Sequence, residues 1–162
     1  MESKQRFPAG RNRVSRQTAS QALAYPATMY APPALPDLSR KEERRRLSPG
    51  ALRAFFNIME RWEVRDEDAR QLLGGVSNGK YYQLKQDSGQ PLDQDPLQRI
   101  SYLIGIFKAL NILYGTHLAD SWIQLANSNP LFTGRTPLTY MLQGGTPAME
   151  VVRRLLDARR GG

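Results

Sequence analysis

The chain has 162 residues, enough for one ordinary domain with a tail. It contains no cysteine, which excludes disulfides, Cys-based zinc sites and thiol catalysis. The formal net charge is +8, but residues 1–46 carry ten Lys or Arg against four acids and residues 47–162 thirteen against eleven, so the excess says little about the globular part.

Residues 1–46 are rich in Arg, Ser, Ala and Pro and repeat at neither a helical nor a strand period, so a disordered basic leader is expected. Within it, Arg13–Leu23 is a candidate marginal helix, and Arg44-Arg45-Arg46 is available to phosphates. The basic N-terminus lacks the apolar core of a signal peptide. The longest apolar run, Tyr102–Phe107, is far short of a membrane span, so a cytosolic location without membrane contact is expected.

Ser48-Pro49 reads as an N-cap followed by proline at the first helical position, and Leu52, Phe55, Phe56 and Met59 then form one apolar face. Asp66 is expected to cap a second helix, with Glu67 and Asp68 near its positive end, Ala69, Leu72 and Leu73 inside, and Gly74-Gly75 as its stop. Ser77 opens a third, Asn78–Gln86. Two short helices joined by a glycine turn have helix-turn-helix spacing, which assigns residues 47–90 to a DNA-binding domain. In that geometry Val76, Tyr81 and Leu84 point inward, while Asn78, Tyr82 and Gln83 face a major groove and Lys80 and Lys85 reach phosphates. Asn78 and Gln83 carry the paired donor and acceptor that read adenine. The acids from Glu60 to Asp68 cancel Arg61, Arg65 and Arg70, so the region has no strong basic patch. A three-helix packing unit without DNA contact has the same pattern.

Asp87–Asp95 reads as a linker ending in a cap at Asp95-Pro96, and the longest helix follows, Pro96–Tyr114. Its stripe of Ile100, Leu103, Ile104, Phe107, Leu110 and Tyr114, widened by Leu97, Ile106 and Leu113, is buried on more than one side. Such a helix is the centre of a bundle or part of a homodimer interface. His117, the only histidine, follows Gly115 at a helix boundary and reads as a capping or surface group. Leu118, Trp122 and Leu125 are expected to pack one more helix ending at Asn127–Pro130. Leu131 and Phe132 tuck beneath a Thr133-Gly134 turn from which Arg135 projects, and Thr136-Pro137 caps a short helix with Leu138, Met141 and Leu142 inside. Gly144-Gly145 ends it, and Thr146-Pro147 starts the last helix, buried through Val151, Val152, Leu155 and Leu156. The fold class is all-α: a helix-turn-helix-like domain, then a helical C-terminal bundle over residues 91–162.

Phosphate-binding loops, nucleophile elbows, His-x-x-x-His pairs and EF-hand loops do not occur, so no catalytic residue, cofactor or metal is assigned and an enzyme is not expected.

Three ordered motifs carry a family resemblance: RISYLIGIFKALNILYG (Arg99–Gly115), LFTGRTPLTYMLQGG (Leu131–Gly145) and VVRRLLDARRGG (Val151–Gly162). The run from Ser48 to Gly162 resembles the Xre–MbcA–ParS antitoxins of bacterial toxin–antitoxin operons. That resemblance implies a bacterial cytoplasmic antitoxin whose partner is a RES-domain toxin acting on NAD, by degrading it or by ADP-ribosylation. It implies a C-terminal domain that masks the toxin and a helix-turn-helix that represses the operon by binding operator DNA. It places the C-terminus at the mouth of the toxin's active site, which makes Arg153, Arg154, Arg159, Arg160, Gly161 and Gly162 the expected contacts. Arg135 belongs with them or braces its own loop against backbone acceptors. The segment SNGKYYQLKQ (Ser77–Gln86) departs from the Ser/Thr-x-x-Thr-x-x-Arg-Trp pattern associated with that helix in the family. The competing readings are a stand-alone helix-turn-helix regulator whose bundle only dimerises, and an adaptor acting through the long helix.

Overall fold

A computed structural model describes residues 35–161, so the leader before residue 35, with its candidate Arg13–Leu23 helix, and Gly162 as an expected toxin contact lie outside the described residues. The described residues from Pro36 onward cluster as one compact unit. All regular structure among the described residues is helical, as expected: α1 (Lys41–Arg61), α2 (Asp66–Leu72), α3 (Asn78–Gln86), α4 (Gln94–Trp122), a 3-10 turn (Pro130–Phe132) and α5 (Pro137–Arg159).

The first helix corrects the sequence reading. It begins at Lys41, not at Ser48, so the expected disordered leader does not extend through residues 41–46. Glu42 and Glu43 lie in its first turn near the positive end of the helix, and Arg44 Nη1 reaches back to the carbonyls of Leu38 (2.9 Å) and Ser39 (2.8 Å). Ser48 is inside the helix and fully buried. Its hydroxyl donates to the Arg44 carbonyl at 2.6 Å and accepts from the Leu92 amide at 2.8 Å. The residue that looks like a cap from its neighbours is therefore a tertiary anchor for the segment entering α4. Ser48→Ala leaves the buried Leu92 N–H without its partner, and the expected cost is about 1–3 kcal/mol in a denaturant titration.

α2 ends in a Schellman motif, with the Gly74 amide on Gln71 O (3.0 Å) and the Gly75 amide on Arg70 O (3.1 Å). Both glycines have positive φ, 105° and 77°. The cap expected at Asp66 is not formed: Arg65 occupies the cap position, and Asp66 is the first residue of the helix with its side chain engaged elsewhere. α3 has the expected bounds, and its Ser77 hydroxyl accepts from the Lys80 amide at 3.2 Å. Tyr81 and Leu84 are buried and Val76 is half-buried.

α4 starts at Gln94 with Asp93 at the cap position, and Asp95 instead accepts from Arg99 Nε at 2.9 Å. It is the centre of the bundle, packed between α1 and α5. Of its wide stripe Leu97, Ile100, Leu103, Ile106 and Leu110 are buried within the chain, while Ile104, Phe107, Leu113 and Tyr114 remain half-buried. The axis breaks at Gly115 (φ 72°, ψ 168°), in a region of backbone space open in practice only to glycine. The short piece after the break buries Ala119 and Trp122, and Ile123 caps it. Leu118 and Leu125, expected inside with Trp122, are about half exposed, and Leu125 lies past the helix end at Ile123. Arg61 ties that piece to α1: its Nη2 donates to Asp120 Oδ2 at 3.0 Å, and its guanidinium lies 5.3 Å from the Phe107 ring centre.

The Asn129–Gly145 stretch is a scaffold around Phe132. That ring is fully buried and meets Trp122 and Tyr140 edge-on, at 5.9 and 5.4 Å between centres. Thr136 Oγ1 accepts from the Thr139 amide at 3.1 Å, which is the expected cap of α5, and the Leu138 amide returns to Ile123 O at 2.9 Å. Gly145 (φ 65°, ψ −147°) breaks α5 where a stop was expected. Beyond it Val152 and Leu156 are buried and Val151 and Leu155 half-buried.

Candidate functional site

The residues singled out for DNA contact share α3 but not one environment. Asn78 and Gln83 are exposed and have no side-chain partner among the described residues. Lys80 Nζ donates to Gln90 Oε1 at 2.9 Å, and Lys85 Nζ to Asp66 Oδ1 at 3.0 Å. The Tyr82 hydroxyl donates to Asp66 Oδ2 at 3.3 Å, and the buried Tyr81 hydroxyl to Oδ1 at 2.8 Å. Asp66 thus clamps the start of α2 to three residues of α3. Sequence reasoning missed this because the contacts are 15 to 19 residues away and follow no local pattern.

The bond from Lys85 and then that from Tyr81 hold the Asp66 carboxyl below its ordinary range, against a smaller opposing effect of burial. Burial, followed by the bond to Asp66, pushes the Tyr81 hydroxyl well up. Because the folded-state value of Asp66 is depressed, its contribution is complete above the ordinary carboxylate value of about 4. It is lost as the pH falls through the lowered value. The carboxylate is 44% exposed, so the expected loss in Asp66→Asn at neutral pH is within about 1 kcal/mol. The variant should show a weaker acid dependence of stability than the parent, measured by thermal melts across the acid range.

The C-terminal candidates are held against the body to differing degrees. Arg135 braces its loop: Nε donates to Phe132 O at 3.1 Å, Nη1 bonds Gln143 Oε1, and the guanidinium lies 5.3 Å from the Tyr140 ring centre. Arg154 pairs with Glu150. Arg153 pairs with Asp157 at 2.7 Å, and Arg159 Nη1 donates to the Tyr114 hydroxyl oxygen at 3.0 Å. Arg160 lies 3.6 Å from Asp157, and Arg159, Arg160 and Gly161 are exposed. The Arg159 partner, Tyr114, lies on α4, and the Arg153 guanidinium, besides its bond to Asp157 on its own helix, fills the space beside Gly105 of α4. One of them had a legible signal, since the isolated Gly105 in the middle of a long helix marks a close approach.

The helix-turn-helix and the C-terminal part touch directly. Gln71 Nε2 of α2 donates to Leu142 O at 3.1 Å, two residues before the Gly144-Gly145 pair. His117 is exposed on an open cleft of about 600 Å³ with Arg61, Trp62 and Asp120. Among the described residues no group of His, Asp or Glu is placed to hold a metal ion, and no helix is long and apolar enough to cross a membrane.

Residues 44–105 match the family described as the antitoxin Xre-like helix-turn-helix domain. Uncharacterized protein y4oB of Sinorhizobium fredii (strain NBRC 101917 / NGR234) is 38% identical over 115 residues, which span 70% of this chain and 87% of y4oB. The chain belongs to the Xre-like antitoxin family. The matched span of this antitoxin-type, DNA-binding regulator starts at Arg44 inside α1, takes in α2 and α3 and continues into α4 as far as Gly105. The Xre-like antitoxin matches no solved structure.

Proposed function

We propose that this protein neutralises a RES-domain toxin encoded beside it, an enzyme that degrades NAD or transfers ADP-ribose, by covering the toxin's active site with its C-terminal arm. We propose as well that it represses its own operon through α2 and α3. The observation that carries the toxin reading is the packing of α4 against α5. Through it, Arg99–Gly115, Leu131–Gly145 and the described part of Val151–Gly162, which resemble the Xre–MbcA–ParS antitoxins, form one body that ends in exposed arginines.

On this reading Arg159, Arg160, Gly161 and Gly162 enter the toxin cleft, with Arg154 beside them. Arg135 and Arg153 act from the body, by holding the loop and the last helix. Asn78 and Gln83 read operator bases, while Lys80, Lys85 and Tyr82 exchange Gln90 and Asp66 for phosphates as DNA docks. The operator-bound form is a homodimer spanning two half-sites. The protein acts as a bacterial cytoplasmic regulator and is not itself an enzyme.

Co-expression with the adjacent gene product tests this reading, scored by growth rescue and by co-purification. Rescue with a co-purifying RES protein supports it. An operator shift without rescue, or without any adjacent RES gene, favours the stand-alone regulator.

A further inference from the structure

The end of α5 is docked on α4 at two points that no family match or sequence motif assigns. Gly105 is buried in the middle of α4, and a Cβ built there falls 1.2 Å from Arg153 Nη1 and 2.4 Å from its Cζ. The absent side chain is a notch that the Arg153 guanidinium fills. From that notch Arg153 Nε donates to Asp157 Oδ2 at 2.7 Å, and Asp157 Oδ1 lies 3.6 Å from Arg160 Nη1. The second point is Tyr114, the residue before the Gly115 break, whose hydroxyl oxygen accepts from Arg159 Nη1 at 3.0 Å.

Together these contacts join both terminal arginines to α4, one through Tyr114 and the other through Asp157 and the notch. They also gather two guanidiniums, Arg153 and Arg160, on the Asp157 carboxylate, with Arg159 held by the Tyr114 hydroxyl instead of by an acid, which leaves the end of α5 positively charged. A planar guanidinium suits an oxyanion such as a carboxylate or a phosphate group. Side chains already held lose less freedom when a partner takes them.

Resting on the toxin-neutralising function, we propose that Gly105 and Tyr114 are positioning residues that preset the direction of the arginine arm, and that the surface it fits is an oxyanion-bearing cleft of the toxin. Neither residue touches the partner. They raise the fraction of molecules whose arm is already aimed, and apparent affinity scales with that fraction.

The test uses the full chain with Tyr114→Phe, which removes only the hydroxyl, and Gly105→Ala, which expels Arg153 from its notch. Amide hydrogen exchange at Ala158–Gly161 reads the arm without any partner, and affinity for the purified adjacent-gene toxin and for operator DNA is measured in parallel. An exposed charged contact of this kind shifts the docked-to-undocked ratio by about two- to fivefold. Exchange at the arm should rise by that factor and toxin affinity fall by it, with DNA affinity and the melting curve unmoved.

Unchanged exchange in both variants would overturn the docking. Raised exchange with unchanged toxin affinity would overturn the positioning role, and a loss of DNA affinity instead would make nucleic acid the partner of this arm. Failure of the unmodified chain to bind the toxin would overturn the functional reading and the partner named here, whatever the exchange data say of the docking.

Discussion

Phe132→Ala is expected to lower the free energy of unfolding by about 3–5 kcal/mol, the usual cost of emptying a packed aromatic site. The ring is fully buried between Trp122 and Tyr140, and its backbone carbonyl accepts from both the amide and the Nε of Arg135. For a chain of this size the loss corresponds to a fall in melting temperature on the order of 10 °C. The damage should spread along the chain, because the same ring supports the end of α4 and the first turn of α5. A loss below about 1 kcal/mol would mean that the ring is not the centre of the Asn129–Gly145 scaffold.

Removal of Arg159–Gly162 should have the largest effect on function. If the arm enters the toxin cleft, the truncated chain loses two buried arginine anchors, each worth about 2 kcal/mol or more in interfaces of this kind. Inhibition of the co-expressed toxin should weaken by between about 30-fold, the worth of one such anchor, and about 1,000-fold, the worth of two that add fully, read as the antitoxin concentration needed to restore growth. The fold should hold, since within the described chain the truncation removes the Tyr114 contact, the Asp157–Arg160 pair and the last helical turn. Much of the complex should still co-purify through the rest of α5. Full inhibition by the truncated chain would show that the arm is dispensable.

The elements that were legible in the sequence are those whose boundaries are set by neighbouring residues. Ser77, Thr136-Pro137, Gly74-Gly75 and Gly115 state a local backbone requirement, and the helices start or break there. The errors arose where a side chain serves a distant partner. Ser48-Pro49 has the local form of a helix start, but the Ser48 hydroxyl is used by the Leu92 amide, 44 positions on. Asp66 has the composition of a cap, but its carboxylate is taken by Tyr81, Tyr82 and Lys85. The face of α3 was legible by the same rule: Asn78 and Gln83 follow from helical periodicity, whereas the tethers on Lys80 and Lys85 depend on how separate helices meet. Arg135 fell on the readable side, because a tight turn leaves carbonyls that a nearby guanidinium can satisfy.

The bond from Gln71 to the Leu142 carbonyl and the passage of α4 between α1 and α5 leave no seam between the half that carries α3 and the half that carries the arginines. Parts that share one core are lost together in the global unfolding transition, even where a terminus also opens locally. A mutation that loosens α1 therefore shortens the lifetime of both ends of the molecule, and a cellular protease that captures the opened chain removes both in a single event.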